Sequence, residues 1–312
     1  MIYTVTLNPS IDYIVHAEKI DMGNVNRMSH DLKLPGGKGI NVSRILERLA
    51  VPTKAVGFLG GFTGEFIHDW LEREHVPTDF TTIVEDTRIN IKLKAGLETE
   101  INGLGPNVSS EEIQALKQSL MHLQPMDIVV LAGSVLPCLP EDFYQELIEL
   151  IKEQQAEFVI DTTGENLLRA LPYQPLLIKP NKDELGELYH TTLTEINEII
   201  EYGKKLLKNG PKHVLISMAS EGALLFTNQG VYQSNVLKRP LKNSVGAGDS
   251  MIAGFVGRWT QTNDPVEAFK WGVACGSATA FSDDLATEAF ILELLPEVEI
   301  TILEENDNDE NK

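Results

Sequence analysis

The sequence predicts an α/β protein: a doubly wound, mostly parallel β-sheet flanked by helices, with a small projecting β-sheet as a lid. Three observations carry this reading. Short apolar runs recur along the chain without the polar–apolar alternation of a half-exposed strand. Most of them lead into a segment of helical periodicity. Two polar, β-like stretches, 13–34 and 83–101, interrupt the alternation early. Strands that are apolar on both faces and alternate with helices indicate a parallel sheet covered on both sides.

Taken in order, strands are expected at Tyr3–Thr6, Ala55–Phe58, Ile128–Ala132, Phe158–Asp161, Leu176–Lys179 and Val214–Ser217. A helix is expected over Pro140–Gln154, where Phe143, Leu147, Leu150 and Ile151 share one face; shorter ones follow over Glu165–Leu171 and Lys182–Tyr189. The two interrupting stretches read as strands of the small projecting sheet. A small sheet polar on both faces is marginal alone. It needs a substrate beneath it or a second subunit against it, so a homodimer through the lid strands is the expected assembly. One domain covers 1–302. After Leu303 the chain has no apolar residue, and 303–312 reads as an acidic, disordered tail.

The chain carries 26 Lys and Arg against 46 Asp and Glu, a net charge of −20. Such a surface argues against nucleic acid or anionic membrane as the main partner, but not against a small anion held by local cations. Cys138 and Cys275, the two cysteines, stand far apart without a CxxC partner, which argues against a thiolate metal site. The N-terminal residues alternate like a strand and lack the features of a signal peptide. The uncharged stretch Trp271–Ser282 falls short of the roughly 20 residues a membrane helix needs. A cytoplasmic, soluble protein is expected.

The run Asn243-Ser244-Val245-Gly246-Ala247-Gly248-Asp249-Ser250 is the most informative. Met251, Ile252, Phe255, Val256 and Trp259 follow at helical spacing, so the glycines lie at a helix N-terminus. The free N–H groups of Gly246, Ala247 and Gly248 and the positive end of the helix favour an anion there. Asp249 in the same turn supplies a carboxylate. Phosphoryl transfer uses that pairing: an acceptor for the hydroxyl proton beside stabilisation for the migrating phosphoryl group. Taken alone, the run equally describes a tight turn capped by Asp249. It is not a Rossmann fingerprint, since Met251 stands at the sixth position of GxGxxG, and Gly36-Gly37-Lys38-Gly39 lacks the spacing of a Walker A sequence.

A second glycine run, Pro35-Gly36-Gly37-Lys38-Gly39-Ile40-Asn41, also opens a helix. Its glycines permit close backbone approach, and Lys38 and Asn41 can donate to hydroxyl or phosphate oxygens. Asn8-Pro9-Ser10-Ile11-Asp12 follows the first strand, and Asp12 can accept hydrogen bonds from a vicinal diol; turn chemistry explains the same residues.

Together these runs resemble the PfkB, or ribokinase-like, family of carbohydrate kinases, over Met1 to about Ile302. The wording Thr6-Leu7-Asn8-Pro9-Ser10-Ile11-Asp12, Glu98-Thr99-Glu100-Ile101-Asn102-Gly103 and Asn243–Ser250 is similar to the 1-phosphofructokinase branch, with tagatose-6-phosphate kinases as neighbours. The resemblance implies a ribokinase-like fold, ATP and Mg2+. It implies Asp249 as the base and the amides of Gly246, Ala247 and Gly248 as the anion hole. It implies Asp12, Gly37, Lys38 and Asn41 on the sugar, and Arg88, Arg27 and Ser134 on the sugar's phosphate. Lys179, Asn181, Ser217, Ser220, Glu221, Gly222 and Gly248 would meet ATP, and Glu184 would organise magnesium through water.

Elementary chemistry fits these roles: Mg2+ keeps much of its water shell and needs few carboxylates, and Arg grips phosphate with two parallel N–H bonds. Two departures stand out: Asn243-Ser244-Val245 replaces the family's frequent Asp-Thr, and Ala219 stands where the nucleotide loop usually has glycine. The implied reaction is phosphorylation of fructose 1-phosphate to fructose 1,6-bisphosphate. The alternatives are tagatose 6-phosphate as acceptor, or a non-catalytic sugar-phosphate sensor.

Overall fold

The structure, a computed structural model, describes residues 1–305. In chain order its elements are β1 (Ile2–Thr6), β2 (Ser10–His16), β3 (His30–Gly36), α1 (Lys38–Arg48), β4 (Thr53–Gly60), α2 (Gly61–Arg73), β5 (Thr78–Ile83), β6 (Arg88–Ala95), β7 (Leu97–Asn102), α3 (Ser110–Ser119), β8 (Ile128–Ala132) and α4 (Phe143–Glu153). Then come β9 (Glu157–Asp161), α5 (Gly164–Ala170), β10 (Leu177–Ile178), α6 (Lys182–Leu188), α7 (Ile196–Lys208), β11 (His213–Ser217), β12 (Ala223–Phe226), β13 (Gly230–Ser234), α8 (Ala247–Thr262), α9 (Pro265–Ala280), α10 (Glu288–Leu294) and β14 (Ile300–Glu305).

Ten strands form one sheet in the order β14-β13-β12-β11-β10-β9-β8-β1-β4-β5. From β11 through to β5 every pairing is parallel; β12, β13 and β14 add an antiparallel edge. The six strands expected from the sequence all lie between β11 and β4. These are the ones buried on both faces, where continuous apolar runs are required. Alternate residues of each strand feed different cores. Val129 and Leu131 face α3, α4, α5, α6 and α7, whereas Ile128 and Val130 face α1, α8, α9 and α10. Helix α2 covers the β4 end through Ile67 and Leu71.

Strands β3-β2-β6-β7 form the separate small sheet. It is not polar on both faces. Ile89, Ile91 and Leu93 alternate with Arg88, Asn90 and Lys92 along β6, and only the polar set lines the cleft described below. Ile83, taken from its sequence as part of the lid, belongs instead to β5 at the edge of the main sheet. Leu303 to Glu305, expected in the disordered acidic tail, are ordered instead. They continue β14, with Glu304 opposite Val231 and Glu305 opposite Gly230. Edge pairing is made by the backbone, so acidic side chains do not prevent it. The rest of that tail, 306–312, lies outside the described residues. Among the described residues no helix is long and apolar enough to cross a membrane.

One packing detail positions the site. Helices α8 and α9 lie so close that a Cβ on Gly254 would sit 2.5 Å from the Trp271 carbonyl oxygen. This contact brings Thr279 of α9 against the first turn of α8, where its Oγ1 meets Ser250 Oγ at 2.8 Å.

Candidate active site

The carboxyl ends of the parallel strands and the polar face of the lid enclose a cleft of about 1490 Å³. Thr6, Ser134, Lys179 and Ser217 line it at or just beyond the ends of β1, β8, β10 and β11. Ligands of open parallel sheets bind at that end.

Asp249 is in the first turn of α8. Gly246 caps that helix at φ +79°, a left-handed conformation that penalises side chains, and a Cβ there would lie 2.6 Å from Leu285. The first full helical bond runs from Ser250 N to Gly246 O at 2.8 Å. The amides of Gly248 and Asp249 therefore precede the helical ladder, at the positive end of α8. Ala247, expected to offer a third free amide, instead directs it to Ser244 O at 3.3 Å. Asp249 is only 7% exposed. Asn41 Nδ2 donates to its Oδ2 at 2.8 Å. Burial, with the Asp161 charge, raises the Asp249 pKa to about 6; Lys38, Asn41 and Lys179 oppose the rise.

Beneath the glycine runs lies a charge cluster around the buried Asp161. Lys38 Nζ donates to Asp161 Oδ2 at 2.8 Å, and Lys179 Nζ stands 3.7 Å from Asp161 Oδ1. Burial alone would raise the Asp161 pKa, but Lys179 and Lys38 hold it below the ordinary carboxylate range. Burial likewise pulls the Lys38 pKa down, yet the charges of Asp161, Asp249 and Glu184 leave it above its ordinary value. Lys38 therefore stays cationic. Lys38 and Asn41, grouped from their sequence with the sugar, are tied to Asp161 and Asp249.

Asp12 anchors the other end. Its Oδ1 accepts from Ser10 Oγ at 2.9 Å and from Asn90 Nδ2 at 3.1 Å. Arg88 donates from Nη1 to Gly103 O at 2.8 Å and from Nη2 to Asn8 O at 3.0 Å. It thus braces the lid, with one further N–H on each terminal nitrogen. Gly37 caps α1 beside this group, and Ser134 follows Gly133 on the opposite wall.

At the far end Asn181 and Glu184 close a capping box at the start of α6. Asn181 N donates to Glu184 Oε2, and Glu184 N donates to Asn181 Oδ1, both at 2.8 Å. Ser217 and Gly222 flank a short 3-10 turn that contains Ser220 and Glu221, on the cleft wall. Lys182 Nζ ties Glu221 in place at 2.7 Å. Ala219, at the position read as a departure, adopts φ +48°, so it takes the left-handed backbone that glycine would hold more easily.

All the site residues read from the sequence line this one cleft, except Arg27. That residue sits in an exposed turn between β2 and β3, outside the cleft. The sequence reading also passed over Asn90, Lys92 and Asp161. Asp161 had a usable signal, a carboxylate at the carboxyl end of a buried parallel strand. Asn90 and Lys92 had only their even spacing from Arg88.

Comparisons with known proteins extend this geometry. A family model described as pfkB family carbohydrate kinase matches residues 5–288. The 1-phosphofructokinase of Bacillus subtilis is 54% identical over 303 residues, covering 97% of this chain and 100% of the relative. The D-tagatose-1-phosphate kinase of Bacillus licheniformis is 36% identical over 305 residues, again 97% and 100%. Among solved structures, phosphofructokinase-2 from Escherichia coli in complex with substrates and products superposes with a TM-score of 0.90 at 27% identity, covering 95% of this chain and 98% of the other. Two glycine runs far apart in sequence meet across one cleft, and the likeness spans nearly the whole length: the chain belongs to the pfkB family of carbohydrate kinases.

Proposed function

We propose that this protein transfers the γ-phosphoryl group of ATP to the C6 hydroxyl of fructose 1-phosphate, forming fructose 1,6-bisphosphate and ADP. The observation that carries this reading is Asp249: a buried carboxylate with a pKa raised to about 6, at the positive end of α8, within one cleft with Asp12. Asp249 accepts the hydroxyl proton as the sugar oxygen bonds to phosphorus and the bond from phosphorus to the bridging oxygen of ADP breaks. A base whose pKa lies just below neutrality is ionised yet still basic enough to assist. The amides of Gly248 and Asp249, with Lys38, stabilise the charge spread over the phosphoryl oxygens. Asp12 holds sugar hydroxyls. Arg88 and Ser134 serve the substrate's phosphate, and Lys179, Asn181 and the Ser217–Gly222 turn serve ATP. Arg27 is not part of the proposed site.

Glu184 fits a magnesium-organising role. Its Oε2 is fixed by Asn181 N, its Oε1 has no protein donor among the described residues, and an oxygen ligand suits a hard cation that retains its water. Bound there with ATP, Mg2+ would neutralise phosphate charge. ATP as donor also fits a cytoplasmic setting. The outer face of the lid exposes Ile89 and Ile101 at 41% and 59%, which supports a homodimer formed lid to lid; light scattering of the wild type and of Ile89→Asp tests it.

ADP release measured with a panel of sugar phosphates tests the reaction. Fructose 1-phosphate is expected to give the highest kcat/KM. A higher value for tagatose 6-phosphate would replace the named acceptor, and no turnover of any sugar phosphate would leave the sensor reading.

A further inference from the structure

The cleft face of β6 carries Arg88, Asn90 and Lys92. Lys92 lies opposite Ile14 of β2 and Glu100 of β7, and its side chain is 10% exposed. Its Nζ is 3.3 Å from Glu100 Oε1 and 3.9 Å from Asp12 Oδ2. Of the other cations near the transfer site, Lys38 and Lys179 are set against Asp161, whereas Arg88 holds two backbone carbonyls and keeps one further N–H on each terminal nitrogen. An ammonium has three N–H groups. Lys92 uses one of them in a long bond to Glu100, and Asp12 lies beyond hydrogen-bond length. Lys92 therefore brings an unspent donor and a nearly buried positive charge to the side of Asp12, beneath the lid.

An acceptor that already bears a phosphate places a dianion in this acidic protein. It needs a cation whose charge is not cancelled by a short, buried ion pair. Glu100 is 43% exposed and can return to water when released. We propose that Lys92 is a specificity-determining residue whose ammonium binds the phosphate already carried by the acceptor, exchanging Glu100 for it. The inference rests on the reading of the acceptor as a sugar phosphate.

The test compares wild type, Lys92→Met and Lys92→Arg on the sugar phosphate the wild type prefers, on the same sugar without its phosphate, and on ATP. Wild-type turnover judges the proposed reaction, and the variant ratios judge Lys92. Lys92→Met keeps the apolar stem and removes the charge. Its KM for the sugar phosphate is expected to rise about 10- to 100-fold, as for a lost charge-assisted hydrogen bond. The KM for ATP and the slow turnover of the unphosphorylated sugar should not change, and Lys92→Arg should recover most of the affinity. An unchanged KM for the sugar phosphate would reduce Lys92 to a partner of Glu100. An equal loss on both sugars would show a grip on hydroxyls instead; either result overturns the proposal. If Lys92→Met melts early, Lys92→Met/Glu100→Gln removes the stranded carboxylate and allows the same comparison.

Discussion

Asn41 Nδ2 and Asp249 Oδ2 meet at 2.8 Å across 208 residues of sequence. This bond joins the first turn of α1 to the first turn of α8, and so joins the two glycine runs. It fixes one oxygen of Asp249 and leaves the other to receive a proton. It also favours the ionised form of a carboxylate that burial pushes toward neutrality.

Asp249→Asn should remain folded and lose about 10²- to 10⁴-fold in kcat, the usual contribution of a positioned base. ADP release under saturating substrates measures it; near-normal turnover would remove Asp249 from the mechanism. The same variant should be more stable at neutral pH. The folded-state pKa of Asp249, about 6, stands above its ordinary 3.8, so its contribution to stability is full below 3.8 and is lost as pH rises through 6. Removing the charge should restore on the order of 2–3 kcal/mol above pH 6 and almost nothing near pH 4, readable in urea titrations at the two pH values.

In the wild type, kcat/KM should fall tenfold per pH unit below about 6, as Asp249 takes up its proton. Asn41→Ala removes a hydrogen bond that lowers this pKa, so the acid limb should move to higher pH. An unshifted limb in Asn41→Ala would assign the titration to another group.

Arg44 makes a separate prediction about stability. Its guanidinium, 1% exposed, donates to Glu74 at 2.7 and 2.8 Å and to Asp284 at 3.2 and 2.6 Å, tying α1 to the end of α2 and to the loop after α9. Arg44→Met should cost about 3 kcal/mol, the lower end for breaking a buried pair, because the carboxylates it leaves, Glu74 and Asp284, are 25% and 31% exposed. Burial would raise the Glu74 pKa, but Arg44 and then Arg48 hold it at about 2. Its contribution is therefore present above 4.5 and lost as pH falls toward 2. Denaturation followed across that window should show a steeper acid loss in the wild type than in Arg44→Met.

Glu184→Gln should raise the magnesium concentration for half-maximal activity about 10-fold, the lower range for loss of an outer-shell partner. Asn181 keeps a side-chain acceptor on its N–H, so melting should shift little. An unchanged magnesium requirement would leave Glu184 as a helix cap only.

Periodicity made the centre of the sheet legible because strands buried on both faces must be apolar throughout. The edges were not. Strands β5, β12, β13 and β14 are short or partly exposed, and β14 ends in acidic residues held by backbone pairing and by the Lys204–Glu304 ion pair. The glycine runs announced two helix N-termini, since three amides without helical partners call for an anion or a turn wherever they occur. Asp12 was legible as local turn chemistry, whereas Asn181 and Glu184 were reached only through the family resemblance and their capping box came from the structure.

The sequence by itself therefore determined the layers and the two helix starts, because these follow from periodicity and local hydrogen bonding; the other residues of the site were implied by the family resemblance. Tertiary structure alone decided which charges cancel. It set Lys38 and Lys179 on Asp161, left Arg27 outside the cleft, turned Lys92 toward Asp12, and buried Asp249 until its pKa reached the working range. Those outcomes depend on distance and dielectric between residues far apart in the chain, and Coulomb energies at such distances have no counterpart in sequence spacing.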